Sequence, residues 1–271
     1  MSRSAIENRA RRSTSGVPVV VVVGATVAVL FFVVPLAGLV WRAPWSSTWK
    51  VVSSGQARDA LRLSLETSLA ATAIAVVFGV PLAWVQARVS YPGRSAVRAI
   101  TLLPMVLPPV VGGVALLLAL GRNGLVGQYL DRVGVHLPFH VLGAVVAETF
   151  VSMPFLVLTV EAAFRSADRR FEDAARTLGA SRLSVFRRVT LPMIRPSLVA
   201  GAVLCWARAL GEFGATITFA GNAQGKTQTL PLFVYVTLEG ANSDAAIVLS
   251  LVLVVVSLVV LVSVYRWLSA Q

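Results

Sequence analysis

Arg208 and Glu212 stand four residues apart and therefore share one face of a helix. Both fall inside an apolar stretch. A charge at membrane depth costs about 2.5 to 3.5 kcal/mol on insertion scales, so such residues face protein or water and pair with each other. A net-neutral pair attracts a dianion little, which makes this pair architecture for a gate rather than a binding site. Glu148 and Glu161 interrupt a second apolar stretch. His136 and His140 are also four apart and could offer a metal one helical face. Pro138 stands between them and no carboxylate is expected beside them, so a metal role is disfavoured. Cys205 is the single cysteine, which rules out a disulfide framework and a cysteine metal set; it reads as a small buried apolar residue. No Gly-rich phosphate loop ending in Lys and Ser or Thr occurs, so the chain does not bind ATP by that route. An intramembrane enzyme would need a nucleophile with a base, or a metal set, at one depth, and the sequence supplies neither.

The elements that must position these residues are membrane helices. Of 271 residues 56% are hydrophobic and only 13% are charged, against about 25% charged in a soluble domain. Four runs carry no charge at all, Ser13 to Trp41, Thr67 to Ala87, Ala99 to Gly121 and Ala245 to Tyr265, and each can supply the roughly 20 residues that cross a bilayer. Two more spans, about Phe139 to Phe164 and Pro196 to Phe219, carry the interrupting charges. Runs such as Val19 to Val23 do not alternate, which excludes a transmembrane barrel. The first apolar run far exceeds the 7 to 15 residues of a secretory signal, so it reads as an uncleaved helix. The expected architecture is all-α with six spans.

A net charge of +12 could signal nucleic acid, but its placement follows topology instead. With the N-terminus inside, sixteen basic residues fall on the cytoplasmic side and seven outside. Both termini are therefore expected in the cytoplasm, with residues 1–16 an arginine-rich head and 17–271 the six-helix domain.

The segment from about 165 to 195 has a pattern of its own. Phe171, Ala174, Ala175 and Leu178 recur on one helical face. Gly179 suits a left-handed helix end, and Ser181 can cap a second short helix carrying Leu183, Phe186 and Val189, which Pro192 is expected to end. Two short amphipathic helices meeting at a glycine suit either a partner's groove or the membrane surface.

Asp173, Ala174, Ala175, Gly179, Val189, Leu191 and Pro192 together, at these spacings, resemble the "EAA" loop of ABC-importer permeases. Asp173 occupies the glutamate slot with Glu172 beside it, and neighbours on a helix point about 100° apart. Three further stretches resemble the molybdate branch of that family: Leu103 to Gly127, with Pro104, Pro108, Pro109, Gly112 and Gly113; Ala207 to Asn222; and Thr227 to Tyr235. The prolines and glycines make the third span kinked and closely packed.

The resemblance implies a MetI-like permease fold in a bacterial inner membrane and a homodimer with its path between the chains. It implies two cytoplasmic ABC ATPase subunits that use ATP and Mg, an external molybdate-binding protein, and no cofactor on this chain. Coupling to the ATPase would fall to Glu172, Asp173, Ala174, Ala175, Gly179, Leu191 and Pro192. The gate and path would fall to Arg208, Gly211, Glu212, Phe213, Gly214, Thr216 and Thr218. Sulfate, thiosulfate or tungstate are the alternative cargoes, because such tetrahedral dianions differ mainly in size. An ion-gradient transporter is the rival class, with Glu148 as its one candidate residue.

Overall fold

The computed structural model describes residues 18–269, and every regular element among them is helical. The whole arginine-rich head, residue 17 and the last two residues lie outside the described residues. The chain divides into two units. The first ends at Ala43, and its described part is α1 (Val19–Trp41), which buries no residue. A helix apolar on every side belongs in lipid.

The second unit, Pro44–Gln271, begins with a short helix, α2 (Trp45–Val52), and then α3 (Gly55–Arg88). Ser54 caps α3, its Oγ accepting from Ala57 N at 3.2 Å. With 34 residues α3 is longer than a bilayer core requires, so its ends reach past the hydrocarbon. Its buried face is small: Ala71, Ala75, Gly79 and Ala83. Leu156, Val157 and Val160 of α7 (Val141–Ser166) pack on that face, and a Cβ placed on Gly79 would lie 3.0 Å from Leu156 Cδ2. Such close approach is how helices associate where lipid offers no hydrophobic drive.

The expected third span is broken rather than kinked. α4 (Arg94–Leu102) runs through a 3-10 turn, Leu103–Met105, and α5 (Pro109–Leu120) departs at 118°. The cause is local: a residue that precedes proline is pushed out of the helical region, and Pro108 before Pro109 adopts ψ 130°. Among the described residues five helices are long and apolar enough to cross a membrane, or six when the bent pair counts as one. α6 (Gly127–Arg132) then leads to α7.

After α7 come α8 (Arg169–Thr177) and α9 (Arg182–Val185). Pro192 does not end the second short helix, contrary to expectation. The chain passes through a π-helical turn, Phe186–Thr190, straight into α10 (Leu191–Leu210). Pro192 is the second residue of α10, directly after the π-helical turn. The fifth span also stops early, at Gly211, and a separate α11 (Gly214–Phe219) follows. α12 (Leu230–Glu239) and α13 (Ser243–Ser269) complete the unit.

Candidate functional site

α8 starts at Asp168, whose carboxylate accepts from Arg170 N at 2.9 Å. It ends in a Schellman turn: Ala180 N donates to Ala175 O at 3.1 Å and Gly179 N to Arg176 O at 2.9 Å, with Gly179 at φ +84°. The two neighbouring carboxylates part company here. Glu172 is 7% exposed and turned inward, while the Asp173 side chain is 67% exposed and meets Arg176 at 3.3 Å. Glu172 takes Arg88 Nη2 at 3.2 Å and Thr190 Oγ1 at 3.1 Å, with Arg176 Nη2 at 3.7 Å.

The large apolar residues of α8, with Leu183, are not packed against the chain, whereas Phe186 packs on the main core beside Trp84 and Phe164 and Val189 is half-buried. Phe171 is 60% exposed, Leu178 88% and Leu183 63%. Ala174 and Pro192 are also exposed, Ala175 is half-buried, and Leu191 packs partly on the main core. α8 thus turns its carboxylate inward and its large apolar residues outward, the reverse of a helix that serves its own core.

The second constellation is the break between α10 and α11. Arg208 Nη2 lies 2.6 Å from Glu212 Oε2, with the carboxylate 1% exposed and the guanidinium 28%. The other oxygen, Glu212 Oε1, accepts from Ala215 N at 2.9 Å. The pair therefore closes the turn Gly211 to Phe213 and caps α11. α11 lies tightly on α5: a Cβ on Gly113 would come 2.6 Å from Thr218 Cβ and 2.9 Å from Ala215 O, and one on Gly214 would come 2.9 Å from Pro109 Cβ. Gly214 is buried in this contact and Thr216 is buried as well, Phe213 meets Tyr235 with ring centroids 4.8 Å apart, and Arg208, Gly211, Phe213 and Thr218 retain surface.

Several partners were not legible in the sequence. Arg88 and Thr190 hold Glu172 from 84 and 18 residues away. Glu161 is neutralised by Arg165 at 2.5 Å and by Arg98 at 3.4 Å. Glu148, 2% exposed, receives Thr67 Oγ1 at 2.8 Å. His136 does have a carboxylate beside it, Asp131 at 2.7 Å, while His140 Nδ1 meets Pro138 O at 2.9 Å. Among the described residues no group of three His, Cys, Asp or Glu could hold a metal.

The family described as "binding-protein-dependent transport system inner membrane component" matches residues 75–270. The chain belongs to that family. It is an integral inner-membrane transport subunit, and its apolar helices are the spans such a subunit needs. The molybdenum transport system permease protein ModB of Mycobacterium tuberculosis is 46% identical over 89% of this chain and 90% of its own length. The sulfate transport system permease protein CysT of Salmonella typhimurium is 37% identical over 87% of this chain and 86% of its own. Among solved structures, a bacterial ABC transporter involved in the import of the acidic polysaccharide alginate superposes with a TM-score of 0.72, covering 93% of this chain and 94% of that one at 21% identity. At that identity the likeness carries the fold, which is that of ABC-importer permeases.

Proposed function

We propose that this chain is the membrane-spanning permease of an ATP-driven molybdate importer, acting as a homodimer with the path between the two copies. The observation that carries the ATP-coupled part is the outward-turned apolar face of α8 and α9, with Phe171, Leu178 and Leu183 bare beside the exposed Asp173. A paired-helix knob of this kind fits a groove on a cytoplasmic ATPase subunit, where large apolar side chains leave water on docking. ATP and Mg belong to that subunit; this chain binds no cofactor and performs no hydrolysis. Both termini, with the arginine-rich head, lie inside, and the knob lies on the same side. ATP-driven closure of the two ATPase subunits draws the knobs together and opens the path outward to receive the anion from an external binding protein.

The cargo rests on relatives. The resemblance is greater to a molybdenum permease than to a sulfate permease, at similar coverage of this chain. Gly214 lets α11 lie close on α5 and Thr216 is buried, while Arg208, Gly211, Phe213 and Thr218 keep surface for the path. A path that releases its cargo needs no tight site, and the external protein supplies selectivity.

In cells that depend on this importer, deleting the chain is expected to lower molybdoenzyme activity, and high external molybdate restores it. A fall in sulfate uptake alone would transfer the chain to sulfate. Cysteines introduced between 165 and 195 are expected to label only from the cytoplasm, and those near Lys226 only from outside; the reverse pattern would refute the orientation.

A further inference from the structure

We propose that Arg88, Glu172 and Thr190 act as a positioning triad that clamps α8 to the inner end of α3, so that force applied to the knob moves α3. The proposal rests on the ATP-coupled function above and adds the residues through which coupling enters the membrane.

The covalent connections of α8 are soft. An extended residue, Ala167 at ψ 127°, joins it to α7, and the Gly179 turn joins it to α9. Side chains supply the stiffness that the backbone lacks. Arg88 is the last residue of α3, and its Nη2 reaches both Glu172 Oε1 at 3.2 Å and Ala167 O at 3.3 Å. One guanidinium therefore holds the helix and the connection before it. Thr190 closes the set from the π-helical turn that leads into α10, donating to the same Glu172 oxygen at 3.1 Å. Three elements meet at one carboxylate.

Burial distinguishes this set from the other ion pairs of the knob. The Arg88 and Glu172 side chains are 7% and 9% exposed, whereas Arg176 and Asp173 are 52% and 67% exposed. Exposed pairs hold little, while a buried pair that loses one member leaves an uncompensated charge. Glu172 therefore faces its own chain and leaves Asp173 as the outward carboxylate. From Arg88 a displacement has a rigid route, because α3 packs on α7 through Gly79 and its alanines with no room to slide.

The test uses the complete complex, with its ATPase subunits and external binding protein, reconstituted in vesicles. ATP hydrolysed per molybdate taken up is the readout that a merely structural role would not move. Arg88→Gln is expected to raise that ratio about threefold or more, since the clamp loses its charged member. Thr190→Val, which removes only a hydroxyl, raises it less, and Thr190→Ser, which keeps the donor, restores the wild-type ratio. If Arg88→Gln fails to assemble, the Thr190 pair of variants still decides. An unchanged ratio in Thr190→Val overturns the triad, as does a parallel fall in hydrolysis and uptake at constant ratio. A wild-type complex without ATP-dependent uptake is a different result and overturns the function itself.

Discussion

The knob at Glu172 and the break at Glu212 use one device for opposite ends. Each buries a carboxylate against an arginine and gives it a second hydrogen-bond donor. At Glu212 both partners are local, Arg208 four residues before and Ala215 three after, and the helix they cap is buried on α5. At Glu172 the arginine comes from another span, and the helix it anchors shows its apolar residues to the outside. A local pair preserves a shape; a long-range pair beneath a bare apolar face ties the helix that carries that face to a distant element of the same chain.

That contrast is open to attack, most strongly at Arg208. Arg208→Ala leaves a carboxylate that is 1% exposed without its cation and is expected to cost about 3 kcal/mol. The double variant with Glu212→Ala should lose less than the sum of the singles, measured by thermal unfolding in detergent. Additive losses would mean the pair does not act as a unit.

Next comes the α5–α11 contact. Gly113→Ala places a Cβ against Thr218 Cβ and Ala215 O and is expected to destabilise by about 2 kcal/mol, because backbone must move. An unaltered melting temperature would show that α11 is free to shift and would erase the distinction between a break fixed on its own core and a knob with a bare face.

The smallest cost in stability should be at Gly179. No atom would meet a Cβ there, but φ is +84°, so Gly179→Val pays about 1 kcal/mol of backbone strain and re-aims α9. The spans should insert and dimerise normally, while ATPase-subunit binding weakens or hydrolysis runs without uptake in vesicles. Fully coupled transport by this variant would return the two short helices to the membrane surface.

The fold was largely legible because lipid imposes length and apolarity on every span. The Arg208–Glu212 pair, the Gly179 turn and the Ser181 cap were legible too, since each is closed within a few residues by helix geometry alone. Proline content located the disturbance after Leu102 but not its size; 118° depends on how α5 comes to lie against α11. The run of α9 into α10 was missed because a π turn shifts the helical register around Pro192.

Sequence alone thus determined the class of protein, where its apolar helices lie, its two short helices at Gly179 and the local pairs that shape it, but not that the third span breaks and the fifth stops at Gly211. Tertiary structure alone decided that Glu172 faces in and Asp173 out, that Arg88 and Thr190 meet on one oxygen, and that Arg98 and Thr67 serve Glu161 and Glu148. The physical reason is separation along the chain. Groups within one or two turns are brought together by the fixed geometry of the backbone, whereas Arg88 meets Glu172 across 84 residues only where the packing of α3 against α7 brings them together.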